Sequence, residues 1–131
     1  MHGLQTRGYP NYFMLSPNQG AFTVNFPHLL EEAATNAVHI IKHMFTNDHS
    51  TVDVEEEAEE QWVQTIIQKA RGPIGAGPGS TECTPGYYNN EGKVGNPDGF
   101  FTTSYGAGPI QFHRILSEWR DDGRLEGADI S

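Results

Sequence analysis

Two histidines have a spacing that can bind a metal ion. His39 and His43 are four residues apart in a segment with helical periodicity, so both would lie on one face of a helix. The residues between them do not match the helical zinc-protease pattern, and the sequence places no third ligand. We therefore expect a partly exposed histidine pair at a helix edge and no metal site.

Two further features lack the partners that their chemistry requires. The glycine-rich stretch GPIGAGPGS at 72–80 has neither G-x-G-x-x-G nor a following helix N-terminus, which a phosphate loop needs. Cys83 has no base or orienting group in its local pattern, so we expect an unreactive thiol. Because Cys83 is the only cysteine, an internal disulfide is excluded and a reducing, cytoplasmic compartment is expected.

The segment from Leu15 to His28 is a stronger candidate for a binding site. It reads as a strand, a short polar loop and the start of a helix. Unpaired N–H groups in a first helical turn carry partial positive charge and favour an anion or the edge of a cofactor. Many such units bind nothing, so the pattern alone leaves both interpretations open.

The remaining elements are mainly helical. Helices are predicted at about 27–45, 54–71 and 109–120. The first is apolar on nearly all sides, which is typical of a buried helix. Asp53 and Glu56 form a capping box for the second, and Gly123 can end the third in a left-handed conformation.

The run Tyr12–Leu15 is predicted to be a strand buried on both faces. The fold class is thus α+β, mainly helical, with one short buried strand and long irregular loops.

Length and charge exclude several function classes. A chain of 131 residues forms one small domain at most. Its net charge of −9 would repel phosphates, which argues against nucleic acid or an anionic membrane as a partner. No apolar stretch is long enough to span a membrane, and the first twenty residues do not resemble a secretory signal.

Three motifs point to a known family. They are HGL at 2–4 followed by RGYPNYFMLSPN at 7–18, CTPGYYNNEGK at 83–93, and YGAGPI at 105–110 continuing to Trp119 and Arg120. Together they resemble the C-terminal part of the Baeyer–Villiger monooxygenases, whose pattern near the flavin is close to G-[FY]-P-N-x-[FY], an apolar run and G-P-N. Ser16 stands where the family usually has glycine.

The resemblance implies the C-terminal part of an α/β flavoprotein with two dinucleotide-binding domains. Residues 1–71 would complete the FAD-binding domain, and 72–131 would form a C-terminal loop and closing helix. The family uses FAD, NADPH and O2 to convert a ketone to an ester or lactone. The chain has no G-x-G-x-x-G, no F-x-G-x-x-x-H-x-x-x-W fingerprint and no counterpart of the family's catalytic arginine and aspartate. We therefore expect no catalytic residue here, no activity of the chain alone, and the missing N-terminal part of the same enzyme as partner.

Site residues are carried over from the family by position. The first helix would point its N-terminus at the pyrimidine edge of the flavin. Residues beside the flavin would be Pro17, Asn18, Gln19 and Gly20. The substrate pocket would include Val24, Asn25 and Phe26. The loop over NADP would contain Tyr87, Tyr88, Asn90 and Lys93.

Two alternatives remain open. The missing nucleotide motifs are also typical of a non-catalytic, truncated remnant that binds a partner or nothing. A related flavin enzyme that hydroxylates nitrogen or sulfur is the second alternative, although the loop at 83–93 argues against it.

Overall fold

The computed structural model describes residues 1–69 and 104–131. Within them the element order is helix α1 (Phe26–Thr46), strand β1 (Val52–Val54), helix α2 (Glu56–Lys69), helix α3 (Pro109–Asp122) and strand β2 (Ala128–Ile130). Helix α1 packs against α3, and β1 pairs with β2 in an antiparallel sheet. The predicted mainly helical character is confirmed. None of the helices in these two ranges is both long and apolar enough to cross a membrane.

Helix α1 starts and ends where its capping residues predict. The Asn25 side chain accepts a hydrogen bond from the His28 N–H at 3.2 Å, and Pro27 occupies the first turn, where its missing N–H costs nothing. At the other end the Asn47 N–H donates to the His43 carbonyl at 3.1 Å. Short-range chemistry therefore sets both boundaries of this helix.

Within the described residues, the burial predicted for α1 is present on one face of the helix only. Its buried residues, Leu29, Asn36, Ala37 and Ile40, lie on one face of the helix. On the opposite side Val38 is 48% exposed and Phe45 is 84% exposed. The apolar surface of α1 is therefore wider than the area that the described part of the chain covers.

The predicted buried strand at residues 12–15 is also wrong. The segment has no regular secondary structure, and Tyr12 and Leu15 are half exposed. Asn11 precedes it with a positive φ of 61°, and the Met14 N–H donates to the Leu4 carbonyl. A strand needs a ladder of partners along its length. The described residues supply the bond to Leu4 and one local bond from the Tyr12 N–H to the Tyr9 carbonyl in place of a ladder.

Asp53 takes part in the sheet, and its predicted role as the cap of α2 is wrong. It lies in the middle of β1, opposite Asp129, and its carboxylate accepts a hydrogen bond from the Gly8 N–H at 3.1 Å. Helix α2 follows Glu55, whose carbonyl accepts the Glu59 N–H at 3.0 Å. Asp53 and Glu56 have the spacing of a capping box. However, Asp53 pairs with β2, so it belongs to a strand and not to the start of α2.

Two apolar clusters form the core, and His2 lies between them. One cluster contains Trp62, Ile66, Phe112 and Leu116, and the other contains Leu4, Ile40 and Val52, with Trp119 packed against it. The His2 ring meets Trp62 edge-on at 4.8 Å and Trp119 edge-on at 5.5 Å between ring centroids. Burial lowers the pKa of His2 to about 4. The neutral imidazole therefore joins the two clusters.

We expect His2 to make stability depend on pH between about 4 and 6.5. In that window the unfolded chain binds a proton at His2 that the folded chain does not, so stability falls as pH decreases, by up to about 3 kcal/mol. His2→Phe keeps an aromatic ring between the two indoles and cannot be protonated. Urea unfolding at a series of pH values should show a smaller loss for His2→Phe than for the wild type.

Phe45→Leu is the control for this measurement, because Phe45 is 84% exposed on α1 and neither side chain can be protonated. Its pH profile should follow the wild type. Parallel profiles for the wild type and His2→Phe would contradict the role assigned to His2. A residual slope is expected, because burial also lowers the pKa of His113.

Candidate functional site

The loop 16–20 is a tight turn stabilised by its own backbone and side chains. The Asn18 N–H donates to the Ser16 hydroxyl at 3.2 Å, and the Gly20 N–H donates to the Pro17 carbonyl at 3.2 Å. Gln19 has a φ of +54°, which residues with a Cβ rarely adopt. Ser16, where the resemblance to the family implies glycine, thus contributes a hydrogen bond to the turn.

Three separate parts of the chain contact the backbone of this loop and stabilise it. Gly3 approaches so closely that a Cβ there would lie 2.4 Å from the Asn18 carbonyl oxygen. The Trp62 indole Nε1–H donates to the Gln19 carbonyl at 3.1 Å. The Tyr105 N–H donates to the Gly20 carbonyl at 2.8 Å. Segments far apart in sequence therefore hold three consecutive residues of the predicted flavin-side loop.

A polar cleft of about 190 Å³ lies beside the loop, with Asn18, Gln19 and Glu59 in its wall. Burial by itself raises the pKa of Glu59. Hydrogen bonds from the Thr6 hydroxyl at 2.7 Å and the Arg7 N–H at 3.0 Å outweigh this, and the pKa lies below its ordinary value. The cleft wall thus carries a fixed negative charge, which suits uncharged hydrogen-bonding groups better than phosphate.

The N-terminus of α1 lies a few residues beyond the loop and is largely capped by its own chain. Asn25 accepts the N–H of His28 with its side chain and the N–H of Leu29 with its carbonyl, and Pro27 has no N–H. The expectation of several unpaired donors here is therefore wrong. What remains for a ligand is mainly the helix dipole.

The predicted pocket residues lie at this same helix start. Val24, Asn25 and Phe26 are all exposed, and Val24 is fully so. These three residues therefore lie close to the loop 16–20 in the chain. Their side chains are on a surface that no other described residue covers. Their predicted role remains a prediction.

Several predicted residues lie outside the described ranges. Tyr87, Tyr88, Asn90 and Lys93, predicted for the NADP loop, are among them, as are Cys83 and the glycine-rich stretch 72–80. Their assignments remain predictions from the sequence.

Within the part of the chain that the structure describes, the histidine pair on α1 is not joined by a third metal-ligating side chain. The His43 ring stacks on His49, with centroids 6.1 Å apart and planes 3° apart. Burial, reinforced by the positive charge of Arg120, lowers the pKa of His39. Among residues 1–69 and 104–131 no three metal-ligating side chains of His, Cys, Asp or Glu cluster together.

Comparison with known proteins gives the family context. No family model matches the chain. It is 38% identical over 130 residues to pentalenolactone D synthase from Streptomyces arenae, covering 99% of this chain and 21% of that protein. It is 34% identical over 126 residues to Baeyer-Villiger monooxygenase 4 from Dietzia sp. (strain D5), covering 96% of this chain and 20% of that one.

A solved structure shows the same relationship in three dimensions. Polycyclic ketone monooxygenase from the thermophilic fungus Thermothelomyces thermophila matches with a TM-score of 0.79 and 28% identity, over 100% of this chain and 21% of its own. The chain matches the C-terminal part of Baeyer–Villiger monooxygenases. It spans about a fifth of the length of the curated relatives it matches.

Baeyer–Villiger monooxygenases as a family use FAD and NADP as cofactors. A relative from Hypomyces subiculosus, 31% identical over 96% of this chain and 20% of its own, is named an FAD-binding monooxygenase (hmp7). The structure of cyclohexanone monooxygenase from Rhodococcus sp. Phi1 was solved bound to NADP+. It shares the fold at a TM-score of 0.71 and 21% identity, over 98% of this chain and 22% of that one.

Sequence reasoning predicted a cofactor-side loop at 16–20 but did not predict the residues that support this loop. Gly3 was seen as part of a motif, although the backbone contact that requires glycine was not foreseen. Trp62 lies with Ile66 on the buried face of α2. The indole N–H of Trp62 was the feature of the sequence that pointed to this contact, since the N–H of a buried indole usually donates to an acceptor.

Replacing Gly3 should destabilise the loop much more than replacing Gly8. Both glycines have positive φ, +66° and +84°, so Gly→Ala costs about 1–2 kcal/mol of backbone strain at either position. At Gly3 the new Cβ would also meet the backbone of residues 18–20, adding about 1–3 kcal/mol. At Gly8 nothing lies within 4 Å. Urea unfolding of both variants measures the difference, and equal losses would contradict the close packing of Gly3 on the loop.

Proposed function

We propose that the chain is the C-terminal part of an FAD- and NADPH-dependent Baeyer–Villiger monooxygenase. The reaction inserts one atom of O2 next to a ketone carbonyl to give an ester or lactone. The other oxygen atom leaves as water, and NADPH supplies the two electrons. The observation that carries the proposal is the match of essentially the whole chain, in sequence and fold, to enzymes of this family.

The loop 16–20 suits the polar edge of a flavin. Asn18 and Gln19 line the adjacent cleft and bring amide groups that both donate and accept hydrogen bonds. The pyrimidine edge of a flavin offers alternating N–H and carbonyl groups of matching type. FAD supplies the electron-transfer and oxygen-activating chemistry when bound. Pro17, Asn18, Gln19 and Gly20 would hold and orient it, in a turn that is already rigid.

The start of α1 would contribute electrostatics and shape. The helix dipole favours negative charge near its N-terminus, so it would stabilise a reduced, negatively charged flavin beside it. Val24 and Phe26 would line the substrate pocket with apolar surface, next to Asn25. Tyr87, Tyr88, Asn90 and Lys93 would close over NADP and exclude water.

The exposed apolar surface supports the proposal that more of the same enzyme covers this chain. Val38, Ile41 and Phe45 leave one face of α1 open, and Tyr12 and Leu15 are exposed elsewhere on the chain. Exposed apolar patches of this kind usually mark interfaces. The preceding four-fifths of a Baeyer–Villiger monooxygenase is the proposed occupant.

The complete enzyme, made of this chain and the sequence encoded upstream of it, tests the proposal. When it is expressed as one protein, it should contain FAD, oxidise NADPH faster when a ketone is present, and convert the ketone to an ester or lactone. With ¹⁸O2, one labelled atom should enter the product. The 131-residue chain expressed alone is the control and should retain no stoichiometric FAD. A complete protein that binds FAD but oxygenates only amines or thioethers would contradict the Baeyer–Villiger assignment.

Phe26→Ala should change which ketones are accepted more than it changes flavin reduction by NADPH. One lost aromatic contact in an apolar pocket is worth about 1–3 kcal/mol of discrimination between substrates. Phe45→Ala is the matched control, because Phe45 lies on the same helix about 28 Å further along. The ratio of kcat/KM for a bulky and a small ketone measures the effect. A ratio unchanged in Phe26→Ala would place Phe26 outside the pocket.

A further inference from the structure

Trp62 makes a directed polar contact with the flavin-side loop from within the core. Its ring is buried, stacked on Tyr105 with planes 9° apart, and met edge-on by His2. These contacts fix the ring, and the Nε1–H then donates to the Gln19 carbonyl at 3.1 Å. A donor held in this way fixes the direction of the Gln19 peptide group.

The residue that receives this hydrogen bond has a backbone conformation that needs support. Gln19 has a φ of +54°, which is unfavourable for a residue with a Cβ and persists only where neighbouring contacts impose it. On the following residue, the Gly20 carbonyl accepts the Tyr105 N–H at 2.8 Å. Trp62 and its stacking partner Tyr105 therefore hold two consecutive carbonyls of the loop.

We propose that Trp62 is a positioning residue for the flavin. Its indole N–H would hold the Gln19 carbonyl toward the core, so that the loop presents one fixed set of polar groups to the flavin. This role rests on the proposed function, since it requires the loop 16–20 to lie beside FAD. Trp62 itself would touch neither substrate nor cofactor.

The chain contains a matched control for the indole hydrogen bond. Trp119 also donates its Nε1–H to a backbone carbonyl, that of Glu126, at 2.9 Å. This carbonyl lies in the C-terminal turn and not in the flavin-side loop. Both tryptophans also meet His2 edge-on. Trp→Phe at either position removes the N–H and keeps an aromatic ring, so the two variants differ in which carbonyl loses its donor.

The test compares Trp62→Phe and Trp119→Phe in the complete, FAD-loaded enzyme. The readouts are the visible absorbance spectrum of the flavin, the share of NADPH oxidation lost as hydrogen peroxide, and the thermal unfolding midpoint. Trp62→Phe should shift the flavin spectrum and raise the peroxide share about two- to tenfold, as expected for one lost hydrogen bond that positions the loop. Trp119→Phe should leave both at wild-type values, even where its unfolding midpoint falls.

Gln19→Gly keeps the test decisive where Trp62→Phe does not fold. Glycine adopts positive φ without strain, so this variant should fold while its loop is less fixed. It should shift the spectrum and the peroxide share in the same direction as Trp62→Phe, and by more than Gln19→Ala, which loses the same side-chain amide but keeps a Cβ at this positive φ. Equal effects of the two Trp→Phe variants, or wild-type values in both Trp62→Phe and Gln19→Gly, would overturn the positioning role. A wild-type enzyme without FAD would instead contradict the proposed function itself.

Discussion

The burial of residues 1–5 against the rest of the chain is the contact on which the described structure depends. Leu4 belongs to one apolar cluster, and His2 joins that cluster to the other through two edge-on indole contacts. Gly3 lies between them, with its backbone against residues 18–20. Removing this segment would separate the clusters and expose the face of the loop 16–20 that Gly3 now contacts. The HGL motif at 2–4 is thus also a structural support.

A second contact joins the first and last helices. Arg120 of α3 donates to the buried Asn36 side chain at 3.2 Å and lies 3.6 Å from the Glu32 carboxylate. Both ion-pair partners are mostly buried, so the pair is screened less than a surface pair, although its net contribution includes a desolvation cost. Its geometric effect is clear, since it sets the position of α3 along α1. Because Phe112 of α3 belongs to the same cluster as Trp62, this alignment extends to the support of the loop.

The three helices could be predicted from the sequence because their signals are local. Periodic apolar residues, Pro27 and Pro109 in first turns and Gly123 after the last helix each act within a few residues of the boundary they set. The two three-residue strands could not be predicted, since strands this short have no readable period and their pairing joins residues far apart in sequence. The strand predicted at 12–15 failed for a related reason: its apolar run indicates burial that the described residues do not supply. In the candidate site the loop was predicted by resemblance, whereas its supports, Gly3 and Trp62, act through long-range contacts that no local pattern reveals.

The N-terminal cap of α1 is formed by Asn25 and Pro27, so the stability of the helix start does not depend on the side chains of the neighbouring residues. Asn25 and Pro27 fix the helix start with their own atoms, and the neighbouring Val24 and Phe26 side chains are exposed and belong to neither apolar cluster. Substitutions at positions 24 and 26 therefore leave the cap and the core intact. Under the proposed function, natural variation or laboratory evolution can reshape the ketone pocket at these two positions without first acquiring compensating mutations elsewhere.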